Sequence, residues 1–130
     1  MKVFVSGSFD PPHSGHIAFF KEASEYGDLY VGIGSDKSIT KYKHNVFMPE
    51  EERLFIVQAI RYVKEAFINS GMGPLDFTED LVGFDRLVVN EDQDTEKKEQ
   101  LCLDLGIEYI VLTRLPEPGL PARSSSKLRK

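Results

Sequence analysis

With 130 residues, of which 41% are hydrophobic and 28% charged, the chain has the length and composition of one globular domain, residues 1–130. Its net charge of −5 argues against a broad nucleic-acid surface, and no apolar run approaches the roughly 20 residues that span a bilayer. The single cysteine, Cys102, excludes an internal disulfide, and the first apolar run is too short for a signal peptide. We therefore expect a cytoplasmic protein that binds neither nucleic acid nor membranes.

Five short segments rich in β-branched and aromatic residues predict strands at 2–7, 29–35, 65–70, 86–90 and 108–113. Helical patterns stand between them, so the chain reads as βαβ units around a parallel sheet. The predicted fold is a Rossmann-like α/β single domain with five parallel strands and helices on both faces. In such sheets ligands bind beyond the carboxyl ends of the strands, and we expect the loops 71–77 and 116–122 to lie there.

Three helices and one helical turn should connect the strands. The first, over residues 15–26, has an apolar stripe of Phe19, Ala23 and Tyr26. The second should begin after Pro49, before three glutamates, and bury Ile56, Ala59, Ile60 and Val63. Asp94 or Thr95 can cap a third helix that stops at Gly106 and buries Leu101, Cys102 and Leu105. The segment SSSKLRK, residues 124–130, could begin a last helical turn.

The segment between the first strand and the first helix reads GSFDPPHSGH, residues 7–16. Gly7 should end the strand and the helix should begin near Ser14, so free N–H groups and the positive end of the dipole face a phosphate-sized space. His13 and His16, three residues apart, would lie on one helix face. We expect His16 to be held in a fixed direction and His13, on the turn, to be freer.

Other readings of this segment are weaker. It contains neither the GxGxxG pattern nor a P-loop, and two histidines without a nearby cysteine or third histidine make a poor zinc site. A turn at Asp10-Pro11-Pro12 with two surface histidines is the alternative. The whole decapeptide at a strand–helix junction favours phosphate binding.

Two basic clusters stand out in an acidic chain. Lys37, Lys41 and Lys43 form one cluster, and Arg123, Lys127, Arg129 and Lys130 form the other at the C-terminal end. The hydroxyls of Ser124, Ser125 and Ser126, at a possible helix start, could add a second anion cradle. A nucleoside triphosphate would suit this distribution, although each cluster alone also fits a solvated surface.

The decapeptide resembles the GxFDxxHxGH signature of the HxGH nucleotidylyltransferase superfamily. Three further segments are similar, in order and spacing, to cytidylyltransferase motifs: KYK at 41–43, EER at 51–53 with the IVQAIRYV that follows, and SSSKLR at 124–129. The resemblance extends over almost the whole chain. Length and layout are most similar to those of the glycerol-3-phosphate cytidylyltransferases.

The resemblance implies an enzyme that transfers a nucleoside monophosphate from a triphosphate to a phosphorylated small alcohol or sugar and releases pyrophosphate. CTP is the favoured donor and ATP a close second, with Mg²⁺ entering with the nucleotide and no metal site on the protein itself. The implied catalytic residues are His13, His16, Lys43 and Arg129. The implied nucleotide-binding residues are these two histidines and Lys43 with Gly7, Ser8, Phe9, Asp10, Lys41, Ser124, Ser125 and Ser126. For Phe9 packing is the better reading, and for Asp10 a turn-capping role is as reasonable as nucleotide binding. Arg61 and Tyr62 lie in a segment that related enzymes use at a two-fold interface, which implies a homodimer.

Two departures from the cytidylyltransferase pattern leave the base and the acceptor open. Residues 90–93 read NEDQ, without the glycine-aspartate-aromatic segment common in that family. Arg114 lies too far before the serines to replace the family's arginine unless residues 115–122 fold back. The alternative to an enzyme is a nucleotide-binding sensor or partner subunit that has kept the fold and lost turnover.

Overall fold

The computed structural model describes residues 1–130 and contains one parallel five-stranded sheet in the order β3-β2-β1-β4-β5. The strands are β1 (Lys2–Gly7), β2 (Asp28–Ile33), β3 (Glu65–Ile68), β4 (Arg86–Asn90) and β5 (Glu108–Leu112). The helices are α1 (Ser14–Ala23), α2 (Asp36–Tyr42), α3 (Glu50–Gln58), α4 (Glu96–Leu105) and α5 (Ser125–Leu128), with 3-10 turns at Ser24–Tyr26 and Glu91–Gln93. Strand order reverses direction at β1, which places the ends of β1 and β4 at the switch point where such folds bind ligands.

Helices cover both faces of the sheet, as the sequence predicts. On one face α1 and α3 pack Phe20 and Val57 against Val3, Val5 and Val31. On the other face Phe4 and Leu87 of the sheet pack against Cys102 of α4. Phe77 and Leu81, from the turns at 77–84, complete this cluster. None of the helices is long and apolar enough to cross a membrane.

The caps of α4 follow the prediction. Thr95 accepts a hydrogen bond from the N–H of Lys98, and Gly106 ends the helix with a left-handed φ of 71°. Leu105 was expected to be buried and is instead 40% exposed, because the chain reverses at Gly106. Ile107, at the start of the next segment, occupies the core in its place.

Two further expectations about helices are wrong. Helix α2 was not predicted, although Ser35 caps it by accepting from the N–H of Ser38. Helix α3 ends at Gln58, so Ala59 and Ile60 lie outside it and Ala59 is exposed. The chain leaves the helix early because the next residues must reach the sheet, where the N–H of Lys64 donates to the carbonyl oxygen of Leu29.

Candidate active site

The turn between β1 and α1 is built around the ring of Phe9. This residue has a φ of 50°, a left-handed value that bulky residues rarely adopt, and it is only 6% exposed. Its ring lies edge-on to His16, with centroids 4.9 Å apart. An added Cβ at Gly7 would come within 2.8 Å of the same ring, so a glycine is needed there. Phe9 therefore acts mainly by packing, which fixes the path of the turn.

Both histidine rings are oriented by backbone N–H groups at the start of α1. The N–H of Gly15 donates to Nδ1 of His13 at 3.0 Å, and the N–H of His13 donates to Nδ1 of His16 at 3.2 Å. Since a backbone N–H can only donate, each Nδ1 is unprotonated and each Nε2 carries the ring hydrogen. The two rings stack with centroids 3.7 Å apart, and an added Cβ at Gly15 would lie 2.9 Å from the His13 ring. The arrangement presents two Nε2–H donors of fixed tautomer.

The structure keeps these imidazoles neutral. Burial, with smaller contributions from His13 and Arg114, lowers the pKa of His16 to about 3. Burial also lowers the pKa of His13, aided by the charges of Arg114 and Arg123. Both rings are held in place, since Nδ1 of His13 caps the helix and its face stacks on His16, and His16, whose ring also meets that of Phe9, is the more deeply buried of the two. The Nε2 of His13 is buried and has no hydrogen-bond partner in the protein.

Arg53 lies fully buried under the site and joins three loops. Its Nε donates to the carbonyl oxygen of Met48 at 2.8 Å. Its Nη1 donates to the carbonyl oxygens of Ser8 at 2.7 Å and Gly34 at 2.8 Å. Its Nη2 donates to Asp36 at 2.7 Å. The arginine of the EER segment thus holds the ends of β1 and β2 to the loop that precedes α3.

Asp10 holds the same loop from the other side. Its carboxylate is fully buried and accepts from the N–H groups of Phe47 at 2.8 Å and Met48 at 2.7 Å. The loop begins at Lys43, whose Nζ donates to the hydroxyl of Ser8 at 2.8 Å. The geometry therefore shows Asp10 binding the loop before α3 rather than capping its own turn, and the bond to Ser8 places Lys43 beside the end of β1.

The C-terminal helix α5 docks against the turn of the decapeptide. The hydroxyl of Ser125 donates to the carbonyl oxygen of Pro11 at 2.9 Å. The Nη1 of Arg129 donates to the carbonyl oxygen of Asp10 at 2.6 Å. These bonds bring the serine segment and Arg129 to the same place as the two histidines.

The segment after β5 folds back toward the serine segment. Arg114 can therefore approach the serines although it lies far before them in the sequence. Nη2 of Arg114 donates to the carbonyl oxygen of Arg123 at 3.1 Å, and Nη1 pairs with Asp92. An ion pair between Lys21 and Glu117, 3.0 Å apart, ties the loop to α1. Arg114 therefore lines the same cleft as the two histidines, although nine residues separate it from Ser124.

A cleft of about 290 Å³, called here the central cleft, lies between these elements. The predicted residues that line it are Gly7, Ser8, Phe9, Asp10, His13, His16, Lys43, Ser124, Ser125, Ser126 and Arg129. Lys41 is the exception, because it does not line the cleft and its Nζ lies 5.4 Å from the ring centroid of Tyr42. Lys43 and the C-terminal serines thus converge, while the other lysine of the KYK segment does not.

Asn90, Asp92, Gln93 and Arg114, at or near positions that the resemblance associates with the base and the acceptor, also line the cleft. Ser6, His44 and Lys98 line it as well and were not expected from the sequence. For Lys98 the sequence held a usable signal, since it precedes the buried Cys102 by four residues and so shares its helix face. For His44 the sequence offers no comparable periodic signal, because it lies in the irregular loop after α2, whereas Asn90 ends β4, where the fold already predicts ligand binding.

Two chambers open from the central cleft. The C-terminal chamber, of about 320 Å³, lies between α1 and the segment 113–124. The lysine chamber, of about 240 Å³, lies between residues 74–77 and the start of α4, at 93–98. The structure contains no group of three or more histidine, cysteine, aspartate or glutamate side chains placed to hold a metal ion.

Comparisons with known proteins agree with the fold and indicate the family. An FAD synthase of Picrophilus torridus is 32% identical over 100% of this chain and 94% of its own length. An FAD synthase of Aciduliprofundum boonei is 33% identical over 92% of this chain and 80% of its own length. A solved structure described as the lipopolysaccharide core biosynthesis protein of Thermoplasma volcanium has a TM-score of 0.72 at 22% identity, over 90% of this chain and 98% of that one, which supports the fold alone.

The family model described as "Cytidylyltransferase-like" matches residues 4–130. It therefore includes the decapeptide, the Arg53 helix and the serine segment, which together form the central cleft. The chain belongs to the cytidylyltransferase-like family, within the HxGH superfamily that its sequence resembles, and it is a nucleotidylyltransferase.

Proposed function

We propose that the central cleft transfers an adenylyl group from ATP to a phosphorylated small molecule and releases pyrophosphate. The observation that carries this proposal is the pair of Nε2–H donors, of fixed tautomer, in one cleft with Lys43, the serine segment and Arg129. The unpartnered Nε2 of His13 supports it, since a buried donor without an acceptor suits a site completed by a ligand oxygen.

The chemistry requires no covalent intermediate on the protein. An oxygen of the acceptor phosphate forms a bond to the α-phosphorus of the nucleotide. The bond from the α-phosphorus to the bridging oxygen of the β-phosphate breaks, and that oxygen leaves with pyrophosphate. Negative charge grows on the non-bridging and leaving oxygens, where fixed N–H donors and cations stabilise the transition state.

The side chains of the cleft would donate hydrogen bonds to the phosphates and neutralise their charge. Neutral His13 and His16 donate hydrogen bonds to the phosphate oxygens that gain charge. Lys43 and Arg129 neutralise the β- and γ-phosphates, and the hydroxyl and N–H groups of Ser124–Ser126 add further donors. Mg²⁺ would enter on the triphosphate, since phosphate oxygens are its usual ligands and the chain offers no cluster of its own side chains to hold it.

The choice of donor depends on two opposing observations. The resemblance to cytidylyltransferases favours CTP. The relatives named FAD synthase favour ATP, because FAD contains an adenylyl group and no cytidylyl group. The absence of an aromatic residue at 90–93 removes one cytidylyltransferase feature, so we place ATP first and keep CTP as the second candidate.

A pyrophosphate-release assay tests the proposal. The purified chain is incubated with Mg²⁺, with ATP or CTP, and with phosphorylated acceptors that include FMN and small polyol and sugar phosphates. We expect release with ATP that depends on the acceptor, and a rise in melting temperature with the bound nucleotide. No release with any acceptor, together with no thermal shift at nucleotide concentrations well above millimolar, would refute the function.

A further inference from the structure

The third histidine of the chain, His44, also lines the central cleft, and the proposed transfer gives it no part. It follows Lys43 directly, in the loop that Asp10 binds before α3. Its side chain is 25% exposed, so the ring is partly packed against the protein and partly open to solvent. An imidazole in this position can offer either a hydrogen bond or a positive charge to a molecule in the cleft.

The tautomer of His44 is fixed by the backbone, as it is for the other two histidines, but in the opposite sense. Nδ1 of His44 lies 2.8 Å from the carbonyl oxygen of Asn45. Because a carbonyl oxygen can only accept, Nδ1 carries the ring hydrogen and donates it. In the neutral ring Nε2 therefore has a lone pair and no hydrogen. Nε2 of His13 and of His16, by contrast, each carry a hydrogen while the ring is neutral.

Nε2 of His44 is open to a ligand. It makes no hydrogen bond within the protein, and the buried side-chain nitrogen and oxygen atoms without a partner are Nε2 of His13 and Oδ1 of Asn69. Nε2 of His44 is therefore not buried, and it belongs to a residue that lines the cleft. It can accept a hydrogen bond while the ring is neutral and can donate one only after it has taken up a proton.

Charged groups of both signs surround the ring of His44. The fully buried carboxylate of Asp10, from the turn between β1 and α1, lies 3.9 Å from Nδ1. Arg129 of α5 is held at the same turn by the carbonyl oxygen of Asp10, and Lys43 precedes His44 in the loop. Arg53 of α3 binds the far end of this loop, and its charge is paired with Asp36. In the ligand-free protein Asp10 therefore favours a charged imidazole, while Lys43 and Arg129 oppose it.

A bound triphosphate would change this balance of charge. Lys43 and Arg129 are the cations that the proposed function assigns to the β- and γ-phosphates, so these phosphates would lie beside His44. Their oxygens are acceptors and would meet the lone pair of a neutral Nε2, which is unfavourable. A proton from solvent on Nε2 converts the contact into a hydrogen bond between two charged groups, which is about twice as strong as a neutral one. The phosphates also neutralise the two cations that oppose this proton.

We propose that His44 is a further nucleotide-binding residue, which takes up a proton from solvent when the distal phosphates of the triphosphate bind and then donates from Nε2 to them. This inference rests on the proposed binding of a triphosphate in the central cleft. The cleft would then contain two imidazoles that donate while neutral and one whose binding is coupled to pH. Above the pH at which the free ring is charged, affinity for the triphosphate should fall by up to about tenfold per pH unit, because one proton is bound with each nucleotide.

Calorimetry measures this proton directly. The ligand is α,β-methylene-ATP with Mg²⁺, in which a methylene group replaces the oxygen that would leave, so that binding is observed without transfer. Titrations at neutral pH in two buffers of different ionisation enthalpy give the number of protons taken up. Burial lowers the pKa of Lys43 and of Lys98, so these lysines can contribute protons of their own. Only the difference between the parent chain and a variant at position 44 is therefore assigned to the imidazole.

Three variants complete the comparison. In His44→Asn the side-chain amide can replace Nδ1 as the donor to the carbonyl oxygen of residue 45, but nothing replaces Nε2. His44→Lys supplies a permanent cation that needs no proton from solvent. Asn45→Ala is the matched control, because the Asn45 side chain is exposed and does not line the cleft. Thermal melts show whether each variant folds, and His44→Lys, which also lacks the ring, gives the same comparison if His44→Asn melts early.

We expect the parent chain and Asn45→Ala to take up about half to one proton more than His44→Asn. In mildly acidic buffer His44→Asn should bind the analogue about tenfold or more weakly, the usual effect of losing a charge-assisted hydrogen bond, and the difference should narrow as the pH rises. His44→Lys should bind nearly as tightly as the parent without the additional proton. AMP, which lacks the distal phosphates, should show no proton uptake that depends on His44.

Equal proton uptake in the parent chain and His44→Asn, or the same His44-dependent uptake with AMP, would overturn the proposal. The analogue would still bind in either case, so nucleotide binding in the central cleft would stand. No binding of the analogue to the parent chain or to any variant would instead remove the proposed function, and this inference with it.

Discussion

Replacing Arg53 with methionine should unfold the protein at a much lower temperature and disable the site in the molecules that remain folded. The guanidinium is fully buried and donates to three backbone carbonyls, those of Met48, Ser8 and Gly34, and to Asp36. Methionine has a similar length but no donor. The substitution therefore leaves three carbonyl oxygens and one carboxylate without their partner.

The expected size follows from these bonds. Each buried acceptor left unpaired costs about 1–3 kcal/mol, and the removal of the buried charge itself offsets part of the sum. The Asp36 side chain is 37% exposed and can bind water once its partner is lost, so we take the net loss from the three carbonyl oxygens alone, about 3–5 kcal/mol. At about 2.1 cal/mol/K per residue, 130 residues give an unfolding entropy of about 0.27 kcal/mol/K, so the melting temperature should fall by about 11–18 °C.

Thermal melts and steady-state rates on the same preparation measure both effects. Arg53→Lys should fall between the parent and Arg53→Met, because lysine keeps the charge but cannot reproduce the fork of donors. Lys64→Met removes an exposed cation, and we expect it to change the unfolding free energy by less than about 1 kcal/mol. A melting temperature for Arg53→Met within 3 °C of the parent would refute the idea that this arginine holds the three loops.

Four further predictions concern the cleft and the assembly. His16→Ala should lower kcat by about 10²–10³-fold with little change in the melt, and a normal kcat in the folded variant would remove His16 from catalysis. Between pH 6.5 and about 3 the imidazole of His16 takes up a proton in the unfolded chain but not in the folded one. The unfolding free energy should therefore fall by up to about 1.4 kcal/mol per pH unit on acidification. Denaturant titrations at several pH values measure this dependence, and the unfolding free energy of His16→Ala should change less steeply with pH. Arg114→Ala should lower kcat/KM for the nucleotide tenfold or more and Arg114→Lys less, because lysine keeps the charge, and equal losses would show that the charge alone is not what Arg114 contributes. Sedimentation at tens of micromolar should show a homodimer, and a 14.7 kDa species alone would exclude it.

The sheet and the decapeptide could be predicted because their signals are local. Five β-rich segments with helical patterns between them specify parallel βαβ units, and the strand bounds agree with the structure to within two residues. The position of the histidines at a strand–helix junction required only the pattern of residues 2–23. Neither step depended on how distant segments meet.

The parts that sequence reasoning missed depend on distant contacts. Nothing near Arg53 in the chain indicates that its guanidinium would be fully buried, because its partners Ser8 and Gly34 lie 45 and 19 residues away. The return of Arg114 to the cleft depends on the fold of residues 115–122 and on the ion pair from Lys21 to Glu117. Helix α2 is short and mostly polar, so its one turn of apolar pattern was too weak to detect.

The polar groups of the site divide into two kinds, and the division has a consequence for nucleotide binding. Asp10 and Arg53 are fully buried, and their hydrogen bonds are made to groups of the protein. Those bonds stabilise the fold of the site. The Nε2 of His13 has no partner in the protein, so its N–H is available to a ligand in the cleft. A phosphate oxygen that accepts from this atom would add a hydrogen bond on binding. Nucleotide should therefore stabilise the parent chain more than a His13→Ala variant at the same nucleotide concentration, and an equal thermal shift in both would show that the triphosphate does not reach this donor.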